Sequence, residues 1–148
     1  MAGWKHHDSI EVSKKILQSF MSEKNVFAII YKGNDKVVGS LGLHYSWAND
    51  DSKYSTLKLK EIGYVLSKTY WGQGLMPEAV KEIIKFCFNK CGLDALTIGH
   101  FSNNDQSKRV IEKCGFEFVK QSEYYAKQLQ QNFVDMKYIL YRQSSNTA

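Results

Sequence analysis

Apolar side chains recur along this chain with two periods, and the switches between them mark its elements. After the cap-forming Asp8 and Ser9, Ile10, Ile16, Leu17, Phe20 and Met21 return at roughly helical spacing, which predicts an amphipathic helix over 8–22. Two apolar runs, 26–31 and 37–45, flank the turn-rich segment 32–35 and predict a β-hairpin. Residues 46–55 are polar and without period, so they read as a loop or a loosely ordered strand end. Alternation resumes over 57–66, a strand that runs into Tyr70-Trp71-Gly72-Gln73-Gly74-Leu75-Met76. A helix follows at once, with Pro77 in its first turn, Ala79, Val80, Ile83, Ile84, Cys87 and Phe88 on its apolar face, and Gly92 closing it. Residues 95–101 predict a strand, Asn103 or Asn104 caps a short helix through Lys113, and Gly115 ends it. Strands over 116–125 and 133–141 complete the pattern as an antiparallel pair, and 143–148 read as a frayed tail. The order implies an α/β mixed sheet with helices on its faces.

Composition narrows the function classes. A length of 148 residues suits one domain, 1–148, and 43% apolar with 24% charged residues is the balance of a globular protein. No apolar run approaches the ~18 residues of a membrane span, and the N-terminus lacks the apolar core of a signal peptide, so a cytoplasmic protein without a membrane partner is expected. Cys87, Cys91 and Cys114 are an odd number without CxxC spacing. They are expected as reduced, mostly buried thiols, with no metal called for. The net charge of +5 suits anionic partners, but the basic residues are scattered and no nucleic-acid face is indicated.

Gly72 and Gly74 bracket a tight strand-to-helix connection, where exposed backbone N–H groups and the helix dipole favour an anion such as a pyrophosphate. The chain has no GxxxxGK[ST] and no GxGxxG with a suitably placed acid, which argues against a nucleotide triphosphatase or a dinucleotide-binding protein.

Taken together, Glu61-Ile62-Gly63-Tyr64-Val65-Leu66, the Tyr70–Ala79 stretch, Asn104-Asp105-Gln106-Ser107 and Lys113-Cys114-Gly115-Phe116 resemble the GNAT acetyltransferase superfamily. Within it they are most similar to the RimJ/RimL branch, named for N-terminal acetyltransferases of ribosomal proteins. The likeness runs from about Val37 to Leu140. It implies a mixed, mainly antiparallel sheet flanked by helices, and the chain is expected to lack the family's usual first strand. It also implies acetyl-CoA as co-substrate and transfer to a primary amine by direct attack in a ternary complex. In the superfamily's phosphate loop, Q/R-x-x-G-x-G/A, Trp71 stands first, Gly74 is the invariant glycine, and Met76 departs from the last position.

By this resemblance Trp71, Gly72, Gln73, Gly74, Leu75 and Met76 hold the phosphates. The backbone of Val65 and Leu66 holds the pantetheine arm, and Asn104 hydrogen-bonds it. Glu61 takes the amine proton, often through water in such enzymes, and Ser107, one turn beyond Asn104, protonates the departing thiolate. Each residue also has a plain structural role open to it: a solvated strand glutamate, a helix cap, a first-turn serine. Tyr64 and His100 could also reach the cleft, although each reads first as a packed strand residue. Ile111 occupies the helix position where many family members carry a tyrosine acid.

The acceptor is left open between a protein N-terminus and a polyamine or aminoglycoside-like small amine. A homodimer covering the exposed sheet edge is a reasonable expectation. The alternative is a catalytically weak CoA-binding or regulatory module, which Ile111 and Met76 motivate.

Overall fold

A computed structural model describes residues 26–31 and 33–143. The helix expected over 8–22, the question of a first strand, and the tail beyond Gln143 lie outside the described residues.

Among the described residues six strands form one sheet: β1 (Val26–Tyr31), β2 (Lys36–His44), β3 (Leu59–Leu66), β4 (Ala95–Phe101), β5 (Glu117–Ala126) and β6 (Gln131–Tyr141). Their order is β1-β2-β3-β4-β6-β5. Every neighbouring pair is antiparallel except β3 and β4. That parallel pair needs a crossover, which helix α1 (Leu75–Asn89) provides; α2 (Asp105–Lys113) links β4 to β5. The mixed, mainly antiparallel sheet with flanking helices is as expected.

Strand alternation decides which face each side chain joins. Phe27, Ile29, Leu41, Leu43, Ile62, Leu96 and Ile98 share one face, where Leu75, Ala79, Val80 and Ile83 of α1 and Val110 and Ile111 of α2 cover them. Ile62, Ile83, Leu96, Ile98 and Ile111 are fully buried, each contributing about 1.5–3 kcal/mol through the area removed from water.

Leu59, Ala95 and Ile139 lie on the opposite face and are packed by Ala48 and Tyr54. The segment expected as a loose loop is therefore two ordered 3-10 turns, Trp47–Asp50 and Ser52–Tyr54. Ser46 caps the first, its hydroxyl accepting from the Ala48 N–H while Asn49 Oδ1 accepts from the Ser46 N–H. Ala48 and Tyr54, with the half-buried Trp47 beside them, pack the segment, and three apolar side chains so spaced show no period.

The ends of α1 and α2 follow local chemistry. At α2, Gly115 adopts φ +86°, with Gly115 N–H bonded to Glu112 O and Phe116 N–H to Ile111 O, a Schellman motif. At α1 the positive-φ glycine, Gly92, lies two residues beyond the cap residue Lys90 rather than next to it. Of the cysteines only Cys87 is buried; Cys91 is exposed and Cys114 intermediate, which corrects the expectation of mostly buried thiols. Burial pushes the Cys87 thiol up to about 12 and the Cys114 thiol to about 11.

Candidate active site

The sheet opens at one place. β3 and β4 pair from Leu59↔Ala95 to Ile62↔Ile98 and then stop, while β2 stays paired with β3 out to Gly39↔Leu66. The β3 edge beyond Ile62 thus has no partner on its β4 side. The Ser67 N–H donates to Val38 O at 2.8 Å, and the antiparallel alternation from that pair turns the backbone groups of Val65 toward Ser40 and those of Tyr64 and Leu66 toward the open edge. Val65, expected to offer its backbone to a ligand, instead spends it on the sheet.

Beyond this edge the chain makes its glycine turn. Gly72 and Gly74 both have φ +77°, and Gly74 is the N-cap of α1 without a side-chain cap hydrogen bond. A Cβ on Gly72 would meet nothing within 4 Å, so the requirement there is backbone conformation, worth about 1–2 kcal/mol against a residue with a Cβ. The first turn of α1 presents the Leu75 and Met76 N–H groups, while Pro77 has none to satisfy. Leu75 and Met76 side chains are buried, and Met76 forms part of the groove wall. Its bulk is absorbed by the core, which explains how the motif tolerates it. The Gln73 amide donates to Thr69 O at 3.3 Å and ties the loop to the turn before it.

Three cavities join end to end here. The first, about 220 Å³, is lined by Gly72, Gly74, Arg109 and Lys113 and, among the described residues, touches no acidic side chain. The second, about 210 Å³, shares Leu66, Met76, Gln106 and Val110 with it and adds Val65, Trp71, Asn104 and Ser107. The third, about 330 Å³, shares Tyr64, Asn104 and Ser107 with the second and is lined by Glu61 and Asp135. The groove therefore runs from a basic end to an acidic one, and its middle is the gap between β3 and β4.

At that middle, the Tyr64 hydroxyl lies 2.5 Å from Ser107 Oγ and 3.4 Å from Ser107 O. Donation to Oγ is the stronger of Tyr64's two options, and it leaves the Ser107 proton free to point into the groove. Asn104 Oδ1 accepts the Ser107 N–H at 3.0 Å, so the Asn104 carbonyl is spent on capping α2 and its amide N–H groups are what it can offer a ligand. The Trp71 indole N–H donates to Leu66 O at 2.8 Å. Leu66 keeps its N–H as the open-edge donor, while its carbonyl already accepts one hydrogen bond. Burial raises the Tyr64 phenol, and the bond to Ser107 opposes that in part.

Glu61 stands on the sheet face opposite the helices and reaches the groove through the gap. Thr97 Oγ1 donates to its Oε1 at 2.8 Å. Burial pushes the Glu61 carboxyl above the ordinary glutamate range; the Thr97 bond, Lys137 and His44 pull it down, and Asp135 adds to the rise. Asp135 is itself paired with Lys137 at 2.9 Å.

The structure thus brings Glu61, Asn104 and Ser107 to one groove and adds residues the sequence did not single out. Tyr64, which reads first as a packed strand residue with the cleft as its alternative, is the hydroxyl beside Ser107. His100 does pack: its Nδ1 bonds Phe101 O and its Nε2 bonds the Tyr138 hydroxyl. Ile111 is in the core, so the helix position noted for a tyrosine faces away from the groove. Arg109 and Lys113 lie four apart on α2, one helical face with Gln106, a spacing visible in the sequence; Asp135 and Thr97 gave no local signal.

Comparison with known proteins accords with this geometry. Residues 2–117 match the family model described as the acetyltransferase (GNAT) domain. The probable N-acetyltransferase YjcK of Bacillus subtilis is 31% identical over 94 residues, which make up 64% of this chain and 49% of that protein. The chain spans about half the length of curated relatives it matches, 49% and 52% for two of them. The microcin C7 self-immunity acetyltransferase MccE, solved in complex with acetyl-CoA and AMP, superposes with a TM-score of 0.67 at 20% identity over 92% of this chain and 71% of that one. Ribosomal-protein-S5-alanine acetyltransferase from Vibrio fischeri superposes with a TM-score of 0.61 at 19% identity, covering 84% of this chain and 68% of that one. At such identities the two structures show a shared fold.

Proposed function

The chain belongs to the GNAT acetyltransferase family, and from that premise we propose that it moves an acetyl group from acetyl-CoA to a primary amine by direct attack in a ternary complex. One observation carries the reading: a continuous groove with an uncapped helix N-terminus and two cations at one end, a carboxylate base at the other, and a serine hydroxyl between them.

The glycine turn, the Leu75 and Met76 N–H groups, Arg109 and Lys113 fit the phosphates of the CoA moiety, because each is a donor or cation facing a cavity that no acid among the described residues lines. The middle cavity fits the pantetheine arm, with the Asn104 amide and the open β3 edge as its polar contacts. The Leu66 N–H is the donor placed to polarise the thioester carbonyl. Glu61 removes the proton of the attacking amine, and Ser107 supplies one to the thiolate as the carbon–sulfur bond breaks. MccE, whose structure holds acetyl-CoA, supports the choice of donor.

Among the described residues the acceptor cavity is lined by Glu61 and Asp135 and by no lysine or arginine, which favours a cationic amine over an amino acid that needs its own carboxylate read. A carboxylate is a weak base. It suits a peptide α-amino group, titrating near ~7.7–8.0, better than a lysine-like amine near ~10.4. We therefore place a protein N-terminus first and a small polyamine second. The name of the V. fischeri neighbour, a ribosomal-protein acetyltransferase, supports the RimJ/RimL-like placement. Cytoplasmic residence and a homodimer belong to the same reading.

Thiol release from acetyl-CoA, screened over N-terminal peptides, polyamines and aminoglycosides against acceptor-free hydrolysis, tests it. A strong rise with one class is expected. Tight CoA binding with a flat screen would put the non-catalytic module in its place, although Ile111, which motivated that alternative, lies in the core while Tyr64 supplies a hydroxyl beside Ser107.

A further inference from the structure

The base proposed above does not stand alone on its strand. Thr97 Oγ1 has a single proton, and the 2.8 Å bond to Glu61 Oε1 uses it, because an ionised carboxylate can only accept. The 2.6 Å contact between Thr97 Oγ1 and Ser46 Oγ must then be donated by Ser46. Ser46 Oγ in turn accepts the Ala48 N–H at 3.1 Å. Four groups thus form one directional file, Ala48 N–H to Ser46, Ser46 to Thr97, Thr97 to Glu61, with every dipole aimed at the carboxylate.

Ser46 and Thr97 are both 0% exposed. Water cannot replace either hydroxyl, and bonds aligned in a low-dielectric interior strengthen one another. The origin of the file is fixed from outside the site: Ser46 is the cap of the first 3-10 turn, which Ala48 and Tyr54 anchor on the second apolar cluster with Leu59, Ala95 and Ile139.

We propose that Ser46 and Thr97 are positioning residues, a buried file of hydroxyls by which the 46–54 turns hold Glu61 oriented and ionised for its task. This rests on the assignment of Glu61 as the base. The other charges facing Glu61 are Lys137 and Asp135 of β6 and His44 of β2, and they stay in place when the hydroxyls are changed. A hydrogen bond to the charged form favours it, so losing the Thr97 hydroxyl moves the Glu61 titration upward.

The test compares Thr97→Val, which keeps the side-chain shape and removes the hydroxyl, with Thr97→Ser, which keeps the hydroxyl, and with Ser46→Ala. Two readouts are taken on each full-length variant: the Glu61 carboxyl titration by carbon-13 NMR, and the pH profile of kcat/KM with acetyl-CoA and an alanine-initiated peptide. Thr97→Val should raise the NMR midpoint by about one pH unit, the equivalent of one hydrogen bond to a charged group. Ser46→Ala should raise it less, and Thr97→Ser should restore it. The acid limb of kcat/KM should follow each shift. An NMR midpoint unmoved in Thr97→Val overturns the proposal, whatever happens to the rate. A midpoint that moves while the acid limb stays put upholds the file and removes Glu61 from the role of base, so the two failures are told apart. Thermal melts of Thr97→Ser and Thr97→Val show whether either variant is misfolded.

Discussion

The two ends of the groove are built from different materials. The end proposed for the phosphates is mostly backbone: two left-handed glycines and a helix N-terminus, joined by two cations from one face of α2. The end proposed for the acceptor is side chains, brought together from β3, β4 and β6 across gaps of tens of residues. Backbone donors exist whatever the neighbouring residues are, so the first end tolerates Trp71 and Met76 in its motif. The second end has no such reserve: its chemistry belongs to Glu61 and to the groups that desolvate, pair and hydrogen-bond it. Damage at one end should appear in cofactor affinity, and damage at the other in the rate of transfer.

The sharpest way to break that division is at Glu61. Glu61→Gln should lower kcat/KM for the amine by about 10²–10⁴-fold, the range for a lost general base, and leave the CoA dissociation constant within about twofold. Isothermal titration of CoA beside steady-state kinetics decides it; a parallel loss of CoA affinity would erase the distinction between the ends.

The mirror-image change is Gly74→Val. A β-branched side chain at φ +77° strains the turn by at least the 1–2 kcal/mol of a left-handed residue and narrows the approach to the Leu75 and Met76 N–H groups. CoA binding should weaken by roughly ten- to a hundredfold. A surviving acceptor KM, measured at saturating acetyl-CoA, would locate the damage at the phosphate end; unchanged CoA affinity would mean the glycine turn is only a connection.

This division also explains what the sequence could disclose. The hairpin, both described helices and the glycine turn were legible, because each depends on residues close together in the chain: Pro77 and Gly74 at the start of α1, Asn104 and Gly115 at the ends of α2. Glu61, Asn104 and Ser107 were legible only through resemblance. Tyr64 reads first as core and only second as a cleft residue because alternation packs a strand tyrosine, and nothing local says that the strand beside it stops pairing at Ile62. Ser46 was hidden for the same reason: its partner, Thr97, is 51 residues away. The backbone of Leu66 is read by resemblance as a ligand contact, and nothing local shows that the Trp71 indole already bonds its carbonyl.

A smaller effect separates charge from backbone within the phosphate end. Arg109→Gln with Lys113→Gln should weaken CoA binding several-fold and flatten its dependence on salt, since partly exposed cations are screened over about 10 Å at 0.1 M while the backbone donors persist. Titrations at two salt concentrations measure this. A steep salt dependence that survives the double change would assign the electrostatic attraction to other lysines.

The smallest effect concerns stability, and only the acceptor end should show it. Burial is the leading cause that raises Glu61 in the folded protein, so the folded state holds the carboxyl proton more tightly than the unfolded chain does. Below the unfolded value, near ~4.3, both states are protonated and the buried carboxyl costs nothing for its charge. As pH rises through the window up to the raised folded value, the folded state must give up a proton it favours, and stability falls. Above that window the full cost of the buried charge is carried. Gln at this position has no charge to bury. Glu61→Gln should therefore melt at a higher temperature than the native chain at pH 8, and the difference should shrink as pH falls toward 4. Arg109→Gln with Lys113→Gln, at the other end, should show no such trend over the same range. Melting curves from pH 4 to 8 measure both. A Glu61→Gln difference that is flat with pH would mean that the hydroxyl file and Lys137 already offset the desolvation, and that the acceptor end, like the phosphate end, holds its charge without a cost to the fold.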